Sequence, residues 1–320
     1  MRVFEAGEAA REASWAGAGM LAPGGEIEAE SPLAEFSLSS LRAWPAFVDE
    51  LERESGVSID FRRSGAVEVA YDDAEAAVLH SKAERQAGIG IRSEPTTHLG
   101  QAARFYPDDA LVDPRTVTAA LLEACRRRGV VLAEHEAVLA VSPDGKSVET
   151  AEGRYEDAGV LIAAGAWSSG LLRGAPRTMP VRGHLISWVR KPGELGPILR
   201  HGHTYLLQRR SGVLIAGAST EQVGFDRAID EAAVEEIRAN AARLWPALGH
   251  DAPVERWNGF RPAIEGDGPV IGRLSGDGAS GDSVWGAFGH YRNGILMAPE
   301  TASRILSMLD AADSVRSTRQ

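Results

Sequence analysis

The residues best placed to do chemistry lie toward the far end of the 320-residue chain. His290-Tyr291-Arg292-Asn293-Gly294-Ile295-Leu296 follows the strand-like Trp285-Gly286-Ala287-Phe288-Gly289 and leads into Met297-Ala298-Pro299, where a helix is expected to open. A strand that turns through glycine into a helix start exposes backbone N–H groups. Such donors suit an anion, or an electron-rich ring that gains negative charge on reduction. The same pattern also describes an ordinary tight turn, and the residues alone leave both readings open. Upstream, Gly259-Phe260-Arg261-Pro262 sets an arginine beside a proline. A planar guanidinium can hold a carboxylate by two parallel hydrogen bonds, fixing its rotation as well as its place. Taken singly, Arg261 favours a surface ion pair, and Tyr205 reads equally well as a half-buried strand aromatic. His203 and His290 read as structural, Met20 as core, and no paired His/Cys/Asp spacing suggests a metal.

The elements that must position these groups can be read from periodicity and capping. Ser31-Pro32 starts a helix whose apolar residues run from Leu33 to Leu51, with a kink expected at Pro45. Ser64 to Tyr71 alternates as a strand. Asp113-Pro114 is an N-cap followed by a first-position proline, and the helix it opens stops near Gly129. Val160-Leu161-Ile162-Ala163-Ala164 is nearly all apolar, which predicts a central strand covered on both faces. Several strands follow between Gly183 and Ala218, and a helix from about Asp230 to Leu248 carries Val234, Ile237, Ala241, Leu244 and Trp245 on one face. The order α/β, then mixed β with helices, then α/β again implies one α/β domain interrupted by insertions that build a second, largely antiparallel unit.

Composition limits the partners. The net charge is −11, and no basic cluster exceeds Arg126-Arg127-Arg128, so the composition argues against a nucleic-acid partner. The single cysteine, Cys125, excludes an intrachain disulfide, reads as a buried inert thiol and suits a reducing cytoplasm. No run approaches the ~20 apolar residues of a membrane span, and the opening Met1-Arg2-Val3-Phe4-Glu5 has no signal-peptide core.

The turn at His290–Leu296 resembles the flavin-contacting motif of the glycine/D-amino-acid oxidase family, and other segments match in the same order. Ser14-Trp15-Ala16-Gly17-Ala18-Gly19-Met20-Leu21 is similar to the small-residue loop that admits the flavin ring. Gly159 to Ser168 is similar to the family's later flavin-domain strand and turn. Asp109 to Arg115 matches the lead-in to its middle helix. Gly259-Phe260-Arg261-Pro262, with Gly268-Pro269-Val270-Ile271-Gly272, resembles the substrate-arginine strand. Among subfamilies the best match is bacterial glycine oxidase of thiamine biosynthesis.

The resemblance implies a fold and a site. The fold is an FAD-binding, Rossmann-like α/β domain of the glutathione-reductase type (1–30, 105–178 and 250–320) with a mixed, mainly antiparallel substrate domain (31–104 and 179–249). It implies that FAD is held by Glu5 on the ribose hydroxyls, by Ala13, Ser14, Ala18, Gly19 and Met20, by Val138 at the adenine, by Gly165, and by His290, Tyr291, Arg292, Asn293, Gly294, Ile295 and Leu296 around the ring. Arg261, Tyr205 and Arg292 would bind the substrate, a small amino acid or amine, with dioxygen as co-substrate. No side chain is required as an acid or base if the amine binds neutral, because the task is to place a C–H bond under the flavin. A homo-oligomer is a further expectation. The other readings are a dehydrogenase of the same fold with another electron acceptor, and a flavin-free remnant.

One part of the family pattern is not matched. A dinucleotide fold opens with a strand, a G-x-G-x-x-G turn and a helix, and the acidic residue ending the second strand follows ~20 residues later. Glu5 occupies that acidic position, leaving no room ahead of it for the glycine turn. The favoured expectation is a misplaced start, and a short form with poor cofactor retention is the alternative.

Overall fold

The computed structural model describes residues 1–156, 159–266, 268–274 and 283–317. Its largest layer is an eight-stranded sheet. From one edge it runs Glu255–Ile264, Thr178–Val189, Val213–Gly217, Thr204–Gln208, Ile198–His201, Ala66–Val69, Gln101–Tyr106, Glu94–His98. All neighbours are antiparallel except Ile198–His201 against Ala66–Val69.

Both faces of this sheet are covered, which is why its strands read as unbroken apolar runs. Ile186, Leu206 and Leu214 point to one face, where Val234, Ile237, Ala241 and Leu244 of the helix Glu231–Leu244 pack on them. Their neighbours Leu185, Leu207 and Ile215 point to the other face, against Ala16, Ala18 and Leu111. The side-chain period of two in a strand sends consecutive residues to opposite sides, so two apolar layers need an apolar residue at every position.

The capping signals act where the sequence placed them. Ser31 accepts from the Ala34 N–H at the start of the helix Pro32–Ser55, which runs through Pro45 as one continuous element. Asp113 caps Pro114–Arg127, and Asp230 caps Glu231–Leu244. Trp44, Val48 and Leu51 of the first helix meet Val117, Ala120 and Ala124 of the second around Leu296. The Trp44 Nε1–H donates to the Leu296 carbonyl at 3.0 Å, tying this core to the turn singled out above. Cys125 is half-buried rather than buried.

The parallel α/β layer is found in pieces. Arg2–Phe4 pairs in parallel with Val131–Ala133, and Val160–Ile162 pairs in parallel with Val284–Phe288. No described strand joins the two pairs. Among the described residues Val160–Ile162 pairs with Val284–Phe288 alone, and only one of its faces is covered: Ile162 is buried, whereas Leu161 is 45% exposed. The last helix begins at Gly294, with Pro299 inside it rather than at its start. The strand Glu255–Ile264, grouped from sequence with the nucleotide-binding pieces, is the edge strand of the large sheet.

Candidate functional site

A cavity of about 310 Å³ lies where the large sheet meets the α/β layer. It collects residues from distant parts of the chain. Ala13, Ser14, Ala18, Gly19 and Met20 form one wall, Gly165 and the stretch His290 to Ile295 another, and Tyr205 and Arg261 a third. Glu5, Val138 and Leu296 do not line it. Glu5 ends the strand Arg2–Phe4 and accepts from the Gly7 N–H at 2.9 Å, and Val138 packs with Phe4 in a separate cluster. Leu296 faces away from the cavity into the helical core, because its side chain is the hydrophobic anchor of the turn and is 1% exposed.

The turn and the small-residue wall fit a flat ring. Ser14, Gly17 and Gly19 offer little side chain, and Gly19 (φ +84°) must approach the Val112 carbonyl so closely that no Cβ fits there. Opposite, Tyr291 holds a left-handed backbone (φ +50°), a costly conformation for a non-glycine residue. His290 bonds Thr301 Oγ1 through Nε2 at 3.0 Å. Burial pulls its imidazole down to about 4, so it stays neutral near pH 7. The helix Gly294–Ser317 opens here, directly after the turn Tyr291–Asn293, and its first residues Gly294 and Ile295 line the cavity. A neutral imidazole beside the positive end of a helix suits a ring that becomes electron-rich.

Across the cavity the arginine is held without being neutralised. Arg261 Nη1 donates to the Ser219 carbonyl at 3.0 Å and to the Arg182 carbonyl at 3.4 Å. No acidic side chain among the described residues pairs with it, so its charge is available to a ligand. Gly183 makes the space, since a Cβ there would collide with the guanidinium. Gly217 does the same for the Tyr205 ring. Burial drives the Tyr205 hydroxyl up to about 12, against the opposing pull of Arg261, Arg292 and Arg209, so it remains a neutral donor. Arg292 also borders the cavity, but it is partnered: its Nη2 donates to Glu26 Oε1 at 2.7 Å.

Thr220 and His203, which the family resemblance places near the pocket, line the cavity, whereas sequence reading missed Glu26, Gly183, Gly217, Ser219 and Glu221. Glu26 is set by a buried polar cluster: Asp109 accepts from the Gly24 N–H at 3.1 Å, and Gln86 Nε2 donates to the Gly24 and Ile27 carbonyls at 2.9 and 2.6 Å. These ties span 59 to 85 residues of chain, so no local pattern announces them.

The geometry agrees with the relatives this chain has. The pattern of the DAO family, FAD dependent oxidoreductase, matches residues 1–308, and the chain belongs to that family. It is an enzyme whose cofactor is FAD. A glycine oxidase of Bacillus licheniformis is 29% identical over 319 residues, covering 96% of this chain and 85% of that protein. A bifunctional ThiO/ThiG protein of Synechocystis is 30% identical over 314 residues, 94% of this chain and 46% of its own length. The crystal structure of a glycine oxidase from Geobacillus kaustophilus superposes with a TM-score of 0.90 at 27% identity, covering 97% of this chain and 88% of that one. No helix among the described residues is long and apolar enough to cross a membrane.

Proposed function

We propose that this enzyme oxidises glycine or a comparably small amino acid or N-methyl amine to the imine. The observation that carries the reading is Arg261. It is fixed by two carbonyls, has no acidic partner among the described residues, and lines the same cavity as the turn His290–Ile295. Arg261 holds the substrate carboxylate, and Tyr205, kept neutral by burial, donates a hydrogen bond to it. Ala13, Ser14, Ala18, Gly19, Met20, Gly165 and residues 290–295 surround the ring, Leu296 supports them from behind, and Glu5 and Val138 meet the adenosine. Arg292 guards the substrate side through its pair with Glu26.

The protein's own contribution is placement. Clamping the carboxylate directs the Cα–H bond toward the opposite wall, and bringing two reactants into such register removes much of the entropic barrier. No described side chain has to move a proton if the amine enters neutral. When bound, FAD supplies the two-electron acceptor, and dioxygen then regenerates it with release of hydrogen peroxide. Residues 1–30, 105–178 and 250–320 serve the cofactor, apart from the edge strand, and 31–104 with 179–249 serve the substrate. In the glycine-oxidase reading the imine supplies thiazole formation for thiamine in the cytoplasm, and the enzyme works as a homo-oligomer.

The test is a peroxide assay on flavin-loaded protein with glycine, sarcosine and D-alanine. Peroxide from at least one is expected. A flavin-loaded protein inert to all three overturns the proposal, and reduction of an added dye without peroxide makes it a dehydrogenase.

A further inference from the structure

Behind Arg261 lies a polar network that the reaction as outlined does not use. The two carbonyls that hold the guanidinium, those of Ser219 and Arg182, belong to segments far apart in sequence that meet in a single antiparallel bridge. The Arg182 N–H donates to the Glu221 carbonyl at 2.9 Å, and the Glu221 N–H donates to the Arg182 carbonyl at 3.0 Å.

Two main-chain bonds at a loop would not hold a guanidinium to a fraction of an ångström, and the side chains supply the rest. Glu221 Oε2 accepts from Arg182 Nε at 2.8 Å and from Nη2 at 2.5 Å. Its Oε1 accepts from Ser219 Oγ at 2.5 Å and lies 2.8 Å from His184 Nδ1. His184 is fully buried, and its Nε2 accepts from the Asp230 N–H at 3.1 Å. With Nε2 acting as acceptor, the ring proton is on Nδ1, which donates to Glu221. The His184 N–H in turn donates to Ser219 Oγ at 2.9 Å, closing the circuit.

We propose that Glu221, with Ser219 and His184, is the positioning group of the substrate clamp: it fixes the two carbonyls that aim Arg261 and so sets how the substrate carboxylate is held.

The charge arrangement fits that role. Two guanidiniums, Arg182 and Arg261, share the Arg182 residue as donor and carbonyl. Glu221 pairs with Arg182, whose Nη1 also reaches Asp226 Oδ2 at 2.9 Å. Both carboxylates of the loop are thus engaged by Arg182, and neither reaches Arg261. Arg261 receives only neutral acceptors, keeping its charge for the ligand while losing its freedom to turn. Burial favours a protonated Glu221, but the bonds from Ser219, Arg182 and His184 outweigh it and hold the carboxyl below its ordinary range. Thr220, between Ser219 and Glu221, borders the cavity, so the same clamp fixes part of its wall.

The proposal rests on the reading of Arg261 as the carboxylate-binding residue, and a double-mutant cycle separates the two. The measurements, on flavin-loaded protein, are KM for glycine and Kd for acetate by NMR titration. Arg261→Ala is expected to raise both by about a hundredfold and Glu221→Gln by about tenfold, whereas in the Arg261→Ala background Glu221→Gln changes neither by more than about twofold. Ser219→Ala, a milder change that keeps the anchoring carbonyl, is expected to give about threefold with the same loss of effect in the Arg261→Ala background. It decides the matter if Glu221→Gln does not fold. Glu221 or Ser219 variants that bind acetate like the parent, or whose effects persist undiminished without Arg261, overturn the proposal. If Arg261→Ala itself binds acetate normally, the substrate reading fails first and takes the proposal with it.

Discussion

The two ends proposed for the cofactor and substrate are built to different standards. At the ring and substrate end, each functional group is backed by buried, cross-chain ties: Leu296 by Trp44, Arg261 by Ser219 and Arg182, Tyr205 by the space at Gly217. At the adenosine end, Glu5 closes a three-residue strand paired to one neighbour, and the apolar residues around it stay open. Val3 is 38% exposed, Val131 48%, and Leu139 59%. Among the described residues, the groups at the first end have many restraints and Glu5 has few. Perturbing the first end should therefore register in the handling of substrate, and perturbing the second in retention of cofactor alone.

The largest expected effect is at Arg261. Replacing it with alanine removes a charge-assisted pair of hydrogen bonds and should raise KM for glycine by about a hundredfold, roughly 3 kcal/mol, with the flavin spectrum unchanged. A parent-like KM in steady-state assays would detach Arg261 from the site. Next comes Gly183→Ala, which leaves every polar group in place but fills the space that the guanidinium occupies. An increase in KM of about tenfold is expected from displacing the clamp without removing it. If Gly183→Ala matches the parent while Arg261→Ala does not, the restraint on the arginine is looser than its bonding implies.

How much of this was legible in the sequence follows the same division. The helix starts at Ser31, Asp113 and Asp230 were readable because a cap and the residues it bonds are neighbours. The turn His290–Ile295 and the arginine Arg261 were visible as a family pattern. Against their bland alternatives the geometry adds support, because it places Arg261 without an acidic partner among the described residues. Gly183 and Gly217 looked like any strand glycine, since the side chains they accommodate come from Arg261 and Tyr205, across the sheet. Pro299 suggested a helix start because a proline is best tolerated there, yet the helix begins earlier, where Gly294 follows the turn. The apolar run at Val160 promised a covered strand, but apolarity records what a residue tolerates, not which neighbour is beside it.

The comparison predicts a pH effect at the well-built end. His290 titrates near 4 in the folded protein because burial disfavours its charge, whereas an exposed histidine titrates near 6.5. Between those values the unfolded chain binds the proton more readily than the native one. Stability is complete above about pH 6.5 and falls as the pH drops toward about 4, by up to roughly 3 kcal/mol from this group. Chemical denaturation at pH 7 and pH 4.5 should show the loss. His290→Gln, neutral throughout, should lose less over the same interval, and equal losses in the two proteins would mean that His290 is charged or exposed in the native state.

The smallest effect is expected at Glu5. Its carboxylate makes one local bond just beyond the strand, from the Gly7 N–H at 2.9 Å. Glutamine retains that acceptor oxygen and removes only the charge proposed to meet the ribose hydroxyls. A hydrogen bond to a charged group on an open edge contributes little beyond its neutral equivalent, so Glu5→Gln should weaken FAD binding by about threefold. The informative control is FMN, which carries the same ring but no adenosine. Its affinity should be unaltered by Glu5→Gln, and KM for glycine in the FAD-loaded variant should equal that of the parent. If FMN weakens as much as FAD, Glu5 supports the ring through the fold instead of touching the ribose. If KM rises as well, the two ends are mechanically coupled, and the restraints around Arg261 extend farther across the molecule than its hydrogen bonds alone.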